Sequence, residues 1–207
     1  MLKDQKVSNF LENLASKSAT PGGGSVAALT AAMGAALLSM VNNLTIGKEK
    51  YQAVEDDIRK LLEKSEKLRN DLEYLIERDV MAFNAFMAAL KMPKNNEQQK
   101  RERQEKMQNA LTEAAHVPLE VAQKSMEVIT ISDEVAKIGN KNVISDAGVG
   151  VILAEAALES ALLNVKINLN MIKNENIKDN FTKAISELMA LKGDLKQKVL
   201  KKVEDRL

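Results

Sequence analysis

The chain has 207 residues, enough for one domain with a real core, or two small ones, without covalent staples. It has no cysteine, which excludes disulfides, thiolate chemistry and cysteine-ligated metals, and a single histidine, His116, which excludes a multi-histidine metal centre. Thirty Lys plus Arg against 29 Asp plus Glu give a net charge of +1, and aromatic content is 3%, so neither a global field nor stacking platforms invite nucleic acid.

The N-terminal Met1-Leu2-Lys3-Asp4-Gln5-Lys6-Val7 lacks the apolar core and cleavage pattern of a secretion signal, so a cytoplasmic protein is expected. Val7, Phe10, Leu11 and Leu14 share one face of a short helix starting near Ser8. Thr20-Pro21-Gly22-Gly23-Gly24-Ser25 then forms a turn with unshielded backbone amides, running into a helix from Gly24 or Ser25 to about Ile46, with Gly47 as its stop. No charged residue falls between Lys17 and Lys48. The stretch is long enough to raise a membrane question, but its alanines and its Ser, Thr and Asn residues point to a helix buried in protein, with Ala28, Ala32 and Ala36 as a seam for close packing.

From Tyr51 to Leu90 there is no Pro or Gly, and apolar residues recur in steps of three or four from Val54 to Leu90, predicting one long helix. Ser65 and Asp79 interrupt this stripe. Ser65 is cheap to bury; Asp79 is not, and it is a functional carboxylate, half of a buried pair with Lys or Arg from another helix, or a residue at a wetter dimer seam. Lys91 to Asn96 is a loop, and a fourth helix starts near Glu97, with Pro118 expected to kink or divide it and Val135 and Ile138 closing it before Gly139. The mixed charges of Lys100 to Lys106 read as a solvated face, and His116 as a surface residue rather than a proton-transfer group.

Gly139-Asn140-Lys141-Asn142 is a second turn, after which Ser145 or Asp146 caps a helix reaching about Met171. On it, Glu155 and Glu159 share a face and read as lysine partners rather than metal ligands, and Asn164 and Asn168 continue the polar positions. Asn174 and Glu175 mark a turn, and Asp179 caps a last helix that Gly193 interrupts. No alternating strand pattern, repeat or linker divides the chain. The prediction is an all-α, single-domain bundle of long antiparallel helices over 1–207.

The Thr20–Ser25 turn is not a nucleotide P-loop, since it lacks the Lys-Ser/Thr ending and follows no strand. It is either a helix connection or, together with Asn140, Asn142, Ser145 and Asp146, a set of donors and acceptors converging on one organic ligand.

The residues Thr20-Pro21-Gly22-Gly23-Gly24-Ser25-Val26-Ala27-Ala28, Asp79 with Ala82-Phe83, Met92-Pro93-Lys94, Val117-Pro118-Leu119, Gly139-Asn140 with Ser145-Asp146, and Asn164-Val165 with Ile167-Asn168 occur in an order that resembles the cyclodeaminase and methenyltetrahydrofolate cyclohydrolase family, across nearly the whole chain. The resemblance implies a homodimeric helical enzyme acting on the one-carbon bridge of tetrahydrofolate, with no cofactor beyond that substrate and no metal. It casts Asp79 as principal acid-base or cation-stabilising group and Asp146 as a second acidic group. Thr20, Pro21, Gly22, Gly23, Gly24 and Ser25 position the ligand, Asn140 and Ser145 assist, and Lys94 or Lys141 meets the glutamate tail, polyglutamylated or single. With no room for a preceding formiminotransferase domain, cyclohydrolase is preferred over cyclodeaminase, and a separate formiminotransferase partner is left open. The remaining alternative is a nonenzymatic helical dimer, for which Ser25 and Asp79 should lie far apart.

Overall fold

A computed structural model describes residues 2–207; Met1, the first residue of the expected domain, lies outside them. The described residues form seven α-helices and no strand: α1 (Val7–Leu14), α2 (Gly23–Asn43), α3 (Glu55–Leu90), α4 (Glu97–Ile138), α5 (Ile144–Leu169), α6 (Glu175–Lys192) and α7 (Leu195–Glu204). The bundle is all-α, as its periodicity predicts.

Four helices make the core. α2 packs against α3 and α5, and α4 closes the bundle against the same two. Side-chain pairings fix the directions. Ser25 meets Asp79 and Ser39 meets Ser65, so α2 and α3 are antiparallel. Asp71 of α3 reaches Lys124 of α4 while Arg78 reaches Glu120 and Glu113, and Gly34 of α2 meets Gly150 of α5 while Gly23 meets Asn164, which completes an up-down-up-down order.

α2 and α5 approach most closely where each has a glycine. A methyl added at Gly34 would lie 2.9 Å from the Gly150 carbonyl oxygen, and one at Gly150 would lie 3.1 Å from that of Gly34. The alanine-rich composition of α2 is therefore a packing requirement, and Ala27, Ala28, Ala31 and Ala35 are essentially inaccessible. By length and composition α2 and the segment Lys141–Leu169 pass as membrane spans, but here they pack on each other within the bundle.

Several expected boundaries shift. α2 ends at Asn43 rather than Ile46, and a 3-10 helix, Glu49–Val54, precedes α3. Pro118 does not divide α4, which runs unbroken for 42 residues. Ser145 and Asp146 lie inside the first turn of α5 and cap nothing; Asn140 instead accepts from the Asn142 amide to start a 3-10 turn, Lys141–Val143, that leads into the helix. Asn174, not Asp179, caps α6 by accepting from the Ile177 amide, because the chain turns five residues earlier than expected. Gly193, at φ +42°, separates α6 from α7 as expected.

Outside the core, Lys192 bridges Glu155 and Glu159, and Lys196 also contacts Glu155, so this carboxylate pair is neutralised by lysines. Arg206 donates to the carbonyls of Ala136 and Gly139, satisfying the C-terminal end of α4. His116 is exposed and packs its ring on Phe181 with centroids 4.7 Å apart, a surface role.

Candidate active site

The N-terminus of α2 opens onto a cleft of about 260 Å³. The turn at Thr20 and Gly22–Gly24 forms one wall, Asp79 and Phe83 of α3 a second, and Asn164 and Asn168 of α5 a third, with Ala114 of α4 between. Gly22 is the N-cap residue, and the first intrahelical bond runs from the Val26 amide to the Gly22 carbonyl at 3.0 Å. The amides of Gly22 to Ser25 thus precede the helical ladder and carry the partial positive charge of the helix start.

Asp79 supplies the cap that the turn lacks. The Ser25 hydroxyl donates to Oδ2 of Asp79 at 2.7 Å, and the Ser25 amide donates to the same carboxylate. This fit depends on Gly24, where a methyl would stand 2.0 Å from Oδ1 of Asp79. Among the described residues no Lys or Arg forms an ion pair with Asp79, so the buried-pair reading with a basic residue does not hold. Loss of hydration pushes the Asp79 carboxyl above the ordinary carboxylate range, and the two bonds from Ser25 pull only partly back. The site therefore holds a carboxylate of enhanced basicity at a helix N-terminus, beside Phe83 and Phe86, and can exchange a proton with a ligand in the cleft.

The expected site residues separate into two groups. Thr20, Gly22, Gly23, Gly24 and Asp79 line the cleft; Ser25 is buried behind Asp79, and Pro21 is buried in the turn after a cis Thr20–Pro21 bond. Lys94 is exposed, in the loop after α3 and at the same end of the bundle. Asn140, Lys141, Ser145 and Asp146 lie at the opposite end of α2, about 30 Å away for 21 residues of helix. Convergence of the two turns within one chain is therefore corrected. Asn140 is 3% exposed and fully engaged: its amide N–H donates to Thr45 Oγ1 at 2.9 Å, and its side chain donates to the Leu44 carbonyl at 2.8 Å. The Lys141 amide donates to the Tyr51 hydroxyl at 2.9 Å. These bonds tie the second turn to the C-terminal end of α2.

Asn164 and Asn168 were not singled out as site residues from the sequence, although they stand one helical turn apart facing Gly23 and Ala114. A larger groove of about 580 Å³ between α3, α4 and α6 has an apolar floor, but its one carboxylate, Glu127, is exposed and paired with Lys124. It holds nothing comparable to Asp79.

The formiminotransferase-cyclodeaminase family model matches residues 6–187. This chain belongs to that family. A methenyltetrahydrofolate cyclohydrolase from Methylorubrum extorquens is 45% identical over 207 residues, covering 100% of both chains. The formimidoyltransferase-cyclodeaminase of Rattus norvegicus is 34% identical over 188 residues, covering 91% of this chain and 35% of its own length. The crystal structure of formiminotetrahydrofolate cyclodeaminase from Thermotoga maritima superposes with a TM-score of 0.89 at 32% identity, covering 99% of this chain and 98% of that one. Within the family fold, the Ser25–Asp79 contact excludes the arrangement expected of a nonenzymatic bundle, in which these residues stand apart.

Proposed function

We propose that the protein is a 5,10-methenyltetrahydrofolate cyclohydrolase producing 10-formyltetrahydrofolate. The observation that carries the reading is Asp79 without a basic partner, held by Ser25 at the mouth of a Gly-lined cleft, in a chain with an end-to-end cyclohydrolase relative. The methenyl carbon is cationic and flanked by N5 and N10. The Asp79 carboxylate stabilises that cation and accepts a proton as a water oxygen bonds to the carbon. The tetrahedral carbon then releases N5, which takes the proton back from Asp79, while the new hydroxyl loses its proton to solvent and becomes the formyl oxygen on N10. One water is consumed and one proton released. The turn from Thr20 to Gly24 holds the substrate, and Lys94 meets its glutamate tail, outside the cleft.

A second reading is favoured by the Thermotoga neighbour: 5-formiminotetrahydrofolate cyclodeaminase. There N10 attacks the formimino carbon, ammonia leaves and the methenyl ring closes. Both reactions pass through a tetrahedral carbon between two nitrogens, so the same carboxylate serves either.

The protein acts as a cytoplasmic homodimer. Met33 and Met40 of α2, Leu44 just after it, and Val149, Ile152 and Leu163 of α5 are exposed, and α2 contributes no charge to this surface. The cleft volume falls below the roughly 300–1,000 Å³ of sites that engulf a ligand, so one chain receives only the reactive end. Antiparallel pairing of two such faces about a two-fold axis sets the Asp146 end of one copy beside the Gly22–Gly24 end of the other, the only route by which Asp146 and Lys141 join the site.

The test supplies purified protein separately with 5,10-methenyl- and 5-formiminotetrahydrofolate, following methenyl absorbance and, in the second case, ammonia. Accelerated methenyl loss identifies cyclohydrolase; methenyl appearance with matching ammonia identifies cyclodeaminase. Rates no faster than the spontaneous ones reject both.

A further inference from the structure

Pro118 has no amide hydrogen, so the carbonyl of Ala114, four residues earlier in α4, has no helical donor. Asn168 of α5 fills the gap: its Nδ2 donates to the Ala114 carbonyl at 2.6 Å and to its own helix at the Asn164 carbonyl at 3.0 Å. Both Nδ2 hydrogens are then used, which fixes the amide so that only Oδ1 remains available. Asn164 is held similarly, its Nδ2 donating to the Ser160 carbonyl at 2.9 Å. Among the described residues neither Oδ1 accepts a hydrogen bond, and both asparagines line the cleft that contains Asp79.

The cleft is therefore divided by hydrogen-bond character. Gly22–Gly24 present amide donors on one wall, and Asn164, Asn168 and Asp79 present acceptors on the others. Building on the folate reading, we infer that Asn164 and Asn168 are the specificity-determining residues that receive the N–H edge of the ligand's pyrimidine ring, its 2-amino group and neighbouring ring N–H. A ring seated there leaves its one-carbon bridge toward Asp79, with Phe83 and Phe86 against its apolar parts. Unpaired acceptors in a site built to receive donors reject a ligand lacking them, because such acceptors lose water without compensation.

Pro118 makes the inference separable from a merely structural role. In Asn168→Ala the Ala114 carbonyl loses its donor, so both melting temperature and substrate affinity should fall. Pro118→Ala together with Asn168→Ala returns a backbone donor to Ala114. The double variant should recover thermal stability but keep a KM for 5,10-methenyltetrahydrofolate raised about tenfold, with kcat within about threefold of wild type, as expected for lost uniform binding. Binding of tetrahydrofolate and of its 2-desamino analogue provides the second readout: wild type should prefer tetrahydrofolate by about tenfold or more, and Asn164→Leu and the double variant should lose most of that preference. Recovery of wild-type KM in the double variant, or undiminished discrimination by the variants, overturns the inference while leaving the cyclohydrolase reading intact. Absence of wild-type turnover on either folate overturns that reading itself.

Discussion

At the residue scale the decisive feature is one carboxylate that does two jobs. Asp79 caps α2 through Ser25 and faces the cleft with no counter-cation among the described residues. In Asp79→Asn, turnover should fall by at least about 100-fold for loss of a proton-transfer group, while circular dichroism and melting temperature stay near wild type. The pH dependence carries a definite sign. Burial favours protonated Asp79 in the folded protein, so the folded state binds that proton more tightly than the unfolded chain. Its contribution to stability therefore declines as pH rises from the ordinary carboxylate pKa through the raised folded value, and urea titrations across that window should lose this slope in Asp79→Asn. The acidic limb of the kcat/KM profile should lie above the ordinary carboxylate range and disappear in the same variant. Gly24→Ala places a methyl 2.0 Å from Oδ1 and must displace the carboxylate; activity should drop at least about tenfold even where the fold survives. Asp79 was legible in the sequence because a carboxylate inside an apolar stripe stands out. Asn164 and Asn168 stand out in the sequence only as part of the family-like C-terminal stretch, with no role attached, since asparagine on a helix face carries no such contrast until Gly23 and Ala114 are placed opposite.

At the element scale, long periodic runs were legible and ends were not. The α3 stripe predicted a helix to Leu90 and flagged Ser65, whose hydroxyl accepts from Ser39 at 2.8 Å in the core. Pro118 misled because its local effect, a missing donor for Ala114, is repaired by a residue 54 positions away. Asn140 misled for the same reason: its partners Thr45 and Leu44 lie on the far side of the sequence, so a residue resembling a ligand contact is a structural tie. The α2–α5 crossing offers a direct test of packing. Gly34→Ala or Gly150→Ala should each cost on the order of 1–3 kcal/mol by overpacking, measured by chemical denaturation. Because both methyls would press on the same crossing, the double variant should cost less than the sum.

At the scale of the whole molecule, the bundle places its two turns at opposite ends of α2 and leaves between them an apolar surface to which α2 contributes no charge. Met40→Glu with Ile152→Glu should convert the proposed homodimer to a monomer in sedimentation velocity while leaving helical content unchanged, since both side chains are exposed in the single chain. If the face joins the Asp146 end of one copy to the Gly turn of another, the monomer should also lose turnover, and Asp146→Asn should reduce turnover in the intact dimer. All-α architecture was legible from composition and period; the distance between the turns was not, because helix length converts a sequence pattern into separation only after the helices are assigned directions.

The bond between Ser25 and Asp79 has a consequence for motion during turnover. A protonated carboxyl is a weaker acceptor than a carboxylate, so in the proposed mechanism proton uptake by Asp79 slackens the fastening of the first turn of α2, and return of the proton tightens it. Amide hydrogen exchange at Ser25, whose N–H donates to this carboxylate, should consequently report the charge on Asp79, making the start of this helix a physical record of where the enzyme stands in its cycle.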